Sequence, residues 1–140
     1  MLFYPLLFKP IFKERIWGGT KLKEVLNKSY DGSQIGESWE LSTVENDISV
    51  VANGAFEGMN LNQLIEKYPT EVLGIKSIQY FGHNFPLLFK FIDAKEDLSI
   101  QVHPNDALAK ERHNSFGKTE MWYVMQADEK ARLVVGFKDK

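Results

Sequence analysis

The sequence predicts a mainly β domain, a sandwich or barrel, with short helices appended toward its N-terminal half. Three observations carry this expectation. From Phe85 onward the chain is a succession of strand-like runs, "FPLLFKFIDA", "LSIQVHP", "TEMWYVMQA" and "ARLVVGF", rich in β-branched and aromatic residues. Polar turn segments separate them, among them "DEK" at 128–130, which reads as a hairpin connection. The composition, 44% apolar and 13% aromatic over 140 residues, is sufficient for one buried core and argues against disorder.

The elements follow in order. The opening stretch reads as extended pieces; Pro5 and Pro10 interrupt ladder pairing and favour an edge. Gly18 and Gly19 mark a turn, and Thr20 is the expected cap of a short helix reaching Asn27, with Leu22, Val25 and Leu26 on one face. "GESWELS" (36–42) and "DISVVANG" (47–54) read as two strands around a polar turn. In "NLNQLIEKY" (60–68) Leu61, Leu64, Ile65 and Tyr68 keep helical spacing, with Asn60 as N-cap and Pro69 beyond the end. "PNDALAKERH" suits one or two helical turns started by Asn105 or Asp106. No repeat, low-complexity tract or linker divides the chain, so residues 1–140 are expected to form one continuous unit.

Charge and composition exclude several classes. The net charge is −2, from 17 basic and 19 acidic residues, without the basic footprint of a nucleic-acid binder. There is no cysteine, which removes disulfides and thiolate metal sites and fits a reducing cytoplasm. The apolar start contains Pro5 and meets its first lysine only at Lys9, the reverse of a secretory signal. No segment has the length of a membrane span. The expectation is a soluble cytoplasmic protein.

The chemistry concentrates in "SIQVHPND", 99–106. On a strand, Ser99, Gln101 and His103 share one face while Ile100 and Val102 share the other. Side chains two residues apart reach a common point; imidazole is a good zinc ligand and an amide oxygen a weaker one. A third ligand must come from elsewhere, and Glu120 in "GKTEMWYV" is the best candidate, with Lys118 on its face two residues earlier. Pro104 would end the ladder just past the histidine, where a pocket can open. Spacing alone leaves open a half-exposed polar face with no ligand role. His83, in the turn-like "YFGHNFP", reads as a loop residue, and His113 as a helix-end residue suited to the dipole. Trp39, Trp122, Tyr123 and Phe85, Phe89 and Phe91 read as core aromatics. Ser99 lacks a legible His–Asp pair, and "GGTKLKE" lacks P-loop spacing.

Four stretches, "PIFKERIWGG" (10–19), "GESWELS" (36–42), "PLLFKFIDAKEDLSIQVHPND" (86–106) and "GKTEMWYV" (117–124), together resemble the N-terminal part of the type I mannose-6-phosphate isomerases (phosphomannose isomerases) of the shorter bacterial kind. The resemblance implies a cupin-like jelly-roll barrel, incomplete here, and one zinc ion held by Gln101, His103 and Glu120. It places Ser99 and Lys118 toward a sugar-phosphate substrate and sets Glu37, Trp39 and Glu40 near the site. The family's fourth ligand, a histidine, and its catalytic arginine lie in later segments that these 140 residues do not contain. It further implies interconversion of mannose 6-phosphate and fructose 6-phosphate, with a truncated and poorly active fragment expected and self-association through an open barrel edge. The alternatives are a non-catalytic cupin-like domain that binds sugar or assembles with a companion chain, and a cupin using iron in oxygen chemistry. His and Glu suit iron, but Gln101 and the family stretches weigh against it.

Overall fold

The structure, a computed structural model, describes residues 4–136. Residues 1–3 of the apolar start and Phe137, the end of the last expected strand, lie outside the described residues. The chain forms two compact units, Met1–Leu98 and Ser99–Lys140.

In the first unit, β1 (Ile11–Gly19) leads into α1 (Lys21–Glu24), β2 (Ile35–Leu41) and a small ladder of β3 (Thr43–Val44) with β4 (Asp47–Ile48). After a 3-10 turn at Gly54–Phe56 come α2 (Leu61–Lys67), α3 (Pro69–Leu73), α4 (Ile75–Phe81) and β5 (Phe89–Ile92). The main sheet is antiparallel in the order β1-β2-β5 and is open. Its register sets Lys13 beside Glu37 and Glu37 beside Ile92, and Ile11 beside Trp39 and Trp39 beside Lys90. "GESWELS" is thus the central strand, one residue earlier than expected.

The core lies off this sheet. Val51, Phe56 and Leu64 are buried, with Tyr4, Leu6, Phe8, Met59, Tyr68 and Val72 packed against them. Each such aliphatic side chain contributes roughly 1.5–3 kcal/mol by leaving water. The helical spacing read at 60–68 is borne out: Leu61, Leu64 and Ile65 are buried on one face of α2. Asn60 accepts from the Gln63 backbone N–H, and the Gln63 side chain accepts from Asn60 N–H, a reciprocal cap. Pro69 both ends α2 and opens α3, where its missing N–H costs nothing.

Three expectations give way in this unit. The strand expected over 47–54 survives only as Asp47–Ile48 followed by isolated bridges at Val50 and Val51. There the Ser49 hydroxyl accepts from Ser42 N–H, and Asn53 and Gly54 turn the chain, Gly54 at φ +66°. Thr20 makes no side-chain cap; the buried Asp93 carboxylate takes that role, accepting from Lys21 N–H at 2.6 Å. Gly19 makes room for it, since a Cβ there would sit 2.7 Å from Asp93 Oδ2. The helix then ends at Glu24, short of Asn27, whose φ is +53°.

The second unit contains α5 (Asp106–His113). The strands expected at 98–104, 119–127 and 131–137 are not formed among its described residues. The physical reason is that a strand exists only as half of a ladder. Alternation specifies which side chains share a face, and no pairing segment is described for these. Ile100, Val102, Met121, Tyr123 and Val135 are correspondingly exposed.

Candidate metal centre

Within the second unit, α5 brings two chemically loaded segments together. Asn105 begins the helix, its Oδ1 accepting from Leu108 N–H at 3.0 Å. Asn114 ends it in the left-handed conformation (φ 49°, ψ 39°). The chain then doubles back, and Gly117 N–H donates to Asp106 Oδ1 at 2.9 Å. Residues 118–120 therefore emerge next to the start of the helix, where residues 101–103 end.

The outcome is a close approach of His103 to Glu120: Nε2 lies 3.3 Å from Oε2, with the two side chains 24% and 34% exposed. The other carboxylate oxygen, Oε1, lies 3.2 Å from Lys118 Nζ. Gln101 Nε2 donates a long contact to Ser99 Oγ at 3.5 Å, which leaves the amide Oε1 as its acceptor atom. His83 follows the end of α4 and His113 is the last residue of α5; both are exposed.

These donors fit a zinc ion. Bonds of roughly 2.0–2.2 Å at the tetrahedral angle separate two ligand atoms by roughly 3.3–3.5 Å, and the His103–Glu120 separation matches that span. Lys118 on the second oxygen suits a carboxylate that offers one oxygen to a cation and is held by its other. Among the described residues no group of three or more His, Asp or Glu side chains could hold a metal ion; the structure brings His103 and Glu120 together, while Gln101 is exposed and contacts Ser99.

A second charged cluster lies in the first unit. Glu37, 6% exposed, receives Lys90 Nζ at 2.8 Å, Arg15 Nη2 at 2.7 Å and the Trp39 indole N–H at 3.1 Å. Burial pushes its carboxyl up, but the hydrogen bonds from Lys90 and Trp39 and the charges of Lys90 and Arg15 outweigh it, so the pKa falls below the usual carboxylate value. Sequence reasoning singled out Glu37 but gave it no partners; they stand 22 and 53 residues away in the chain. On the same sheet Lys28 pairs with Glu40 at 2.7 Å and lies over the Phe91 ring. A groove of about 570 Å³ lined by Leu6, Phe8, Leu41, Phe89 and Phe91, among others, contains none of the candidate ligands.

Comparison with known proteins places the chain in a family. Residues 6–136 match the sequence model of "Phosphomannose isomerase type I, catalytic domain". The mannose-6-phosphate isomerase ManA of Bacillus subtilis is 43% identical over 133 residues, covering 94% of this chain and 40% of that protein. A mannose-6-phosphate isomerase of Streptococcus mutans is 38% identical over 140 residues, covering 97% of this chain and 42% of that protein. Among solved structures, the Bacillus subtilis mannose 6-phosphate isomerase superposes with a TM-score of 0.71 at 41% identity, over 81% of this chain and 35% of that one. A zinc-bound mannose 6-phosphate isomerase gives 0.64 at 29% identity, over 76% and 27%. The chain thus spans about two fifths of the curated relatives it matches, and its open sheet with short helices is a portion of their cupin fold. By the match over nearly its whole length, the chain belongs to the type I phosphomannose isomerase family.

Proposed function

We propose that this chain supplies the N-terminal portion of a zinc-dependent mannose-6-phosphate isomerase, with Gln101, His103 and Glu120 as zinc ligands and Ser99 and Lys118 facing the sugar phosphate. The observation that carries the reading is the 3.3 Å approach of His103 Nε2 to Glu120 Oε2. Solved relatives that are zinc-bound support the choice of metal. Zinc held there would supply Lewis acidity, polarising the carbonyl and hydroxyl oxygens on C1 and C2, the two carbons between which the isomerisation moves a proton.

The chain's own residues do the rest. His103 offers a neutral imidazole nitrogen and Glu120 one carboxylate oxygen, so that part of the ion's charge is neutralised. Lys118 holds the remaining oxygen of Glu120 and places a cation where negative charge develops on the sugar oxygens. Ser99, in contact with Gln101 Nε2, would leave the amide oxygen available to the cation and offer its own hydroxyl to the sugar. Location in the cytoplasm is part of the reading: a chain free of cysteine whose described residues contain no helix long and apolar enough to cross a membrane suits it. So is self-association through the β5 edge, which carries the exposed Phe89 and pairs only with β2 among the described residues.

The test combines metal and turnover. Purified chain is titrated with zinc, and fructose 6-phosphate formation from mannose 6-phosphate is followed by a coupled assay. Zinc binding abolished by His103→Ala, with little turnover from these 140 residues alone, is the expected result. Zinc binding that His103→Ala leaves unchanged overturns the metal centre, and robust turnover by the isolated chain overturns the expectation of a poorly active fragment.

A further inference from the structure

We propose that Asp106 is a positioning residue: with Gly117 it forms a clamp that holds the Lys118–Glu120 segment in register against His103. The proposal rests on the reading of Gln101, His103 and Glu120 as zinc ligands and adds what brings them together.

The two ligand-bearing segments are separated by α5 and its return loop, a stretch long enough to leave them unrelated in space. Two contacts bridge the gap. Gly117 N–H donates to Asp106 Oδ1 at 2.9 Å, a charge-assisted bond of the stronger kind. The backbone of Gly117 also lies against the backbone at the start of α5: a Cβ there would stand 2.7 Å from Asn105 C and 2.7 Å from Asp106 N. Any side chain at 117 therefore pushes the two strands of chain apart, and only glycine permits the approach. Gly117 immediately precedes Lys118, and Asn105 lies two residues after His103. The clamp is thus within three residues of each ligand it relates.

The rest of the loop serves the same end. Asn114 in the left-handed conformation turns the chain, Ser115 N–H donates to Ala109 O at 3.3 Å, and Lys110 Nζ donates to Asn114 Oδ1 at 2.6 Å. These fix the turn; the contact of Gly117 with Asp106 and the Asn105 backbone reaches the helix start. Asp106 need not touch the cation. Its effect on zinc runs entirely through where it sets Glu120.

The experiment compares zinc affinity, by competition with a chromophoric chelator, in the full chain and in Asp106→Ala, Asp106→Asn, Gly117→Ala and Asn105→Ala. Asp106→Ala and Gly117→Ala are expected to weaken zinc about 10–100-fold, as loss of an orienting partner does. Asp106→Asn keeps an acceptor oxygen and is expected to restore most of the affinity. Asn105→Ala removes the α5 cap without touching the clamp, so an equal loss there would assign the effect to helix stability and overturn the proposal. So would wild-type affinity in Asp106→Ala. Nuclear Overhauser contacts between the His103 ring and the Glu120 side chain, with exchange protection of the Gly117 amide, supply a readout independent of metal. If no variant and no wild-type chain binds zinc, the metal reading fails. The clamp then stands on loss of those contacts in Asp106→Ala and falls if they persist.

Discussion

Replacing Glu37 by glutamine keeps its volume and removes its charge, and the structure sets the consequence. Three donors converge on this one carboxylate: Lys90 and Trp39, which share the central sheet, and Arg15 from β1. Glutamine can accept from one or two of them but leaves Lys90, with a side chain only 23% exposed, beside a neutral amide. Breaking a fully buried ion pair by removing one partner costs about 3–5 kcal/mol. Arg15 is 37% exposed and keeps its hydration, so the loss here is set lower, about 2–3 kcal/mol at neutral pH. The pH dependence follows from the lowered pKa of Glu37. A depressed carboxyl contributes stability that is fully present above its unfolded-state value. That stability is lost as pH falls through the folded-state value. The gap between wild type and Glu37→Gln should therefore be widest near pH 7 and close progressively below about pH 4.5, as wild-type Glu37 itself becomes neutral. Urea denaturation of both proteins at pH 7 and at acid pH, followed by the near-ultraviolet signal of the tryptophans, measures it. A gap below about 0.5 kcal/mol at pH 7, the level of an ordinary surface change, or a gap that does not shrink on acidification, would refute the argument that Glu37 is the charge that ties the sheet together.

Other expectations are simpler. Leu64→Ala, which empties a fully buried position at the centre of the core, should cost about 2–5 kcal/mol in the same denaturation experiment. Asp93→Ala removes the carboxylate that accepts from Lys21 N–H and should cost about 1–2 kcal/mol. Gly19→Ala should be at least as harmful, because its Cβ meets the Asp93 carboxylate; thermal melts of the two variants check both. Phe89→Lys at the exposed end of β5 should reduce any concentration-dependent association seen by light scattering, since charge blunts a strand edge.

What the sequence made legible, and what it did not, divides along a physical line. Local chemistry was readable wherever the determining atoms lie within a few residues of each other. The Asn60 cap and the buried stripe of α2 follow from spacing alone, as does a start of α5 at Asn105 or Asp106, which the structure resolves to Asn105. So does the strand at "GESWELS", because an alternating apolar–polar run between turns has few other uses; its central place in the sheet needed the distant partners β1 and β5. Properties that need a distant partner were not readable. Thr20 looked like the α1 cap by position, but the acceptor that wins is Asp93, 72 residues away. Glu37 was singled out by the family stretch it sits in, but its partner Lys90, set beside it through the β2–β5 register, was not readable.

The strand expectations over 98–137 sit on the same line, and they sharpen what the candidate site depends on. Alternation in "LSIQVHP" supplied the argument for a shared face of Ser99, Gln101 and His103, yet no ladder is described there. The approach of His103 to Glu120 is made nonetheless. Among the described residues no strand pairing holds it; α5 lies between the two residues in the chain, and the Gly117–Asp106 contact closes the return loop on the start of that helix. A strand face would have fixed the ligands through backbone hydrogen bonds spread along a sheet. In the clamp proposed above the same function falls to a single carboxylate and a glycine, so the site should be far more sensitive to substitutions at 106 and 117 than to loss of alternation at 100 or 102. Replacing Ile100 and Val102, both about four-fifths exposed, by threonine should therefore leave zinc affinity within about threefold, inside the range of ordinary surface changes. A larger loss, read by the same chelator competition, would show that a sheet face holds the ligands after all.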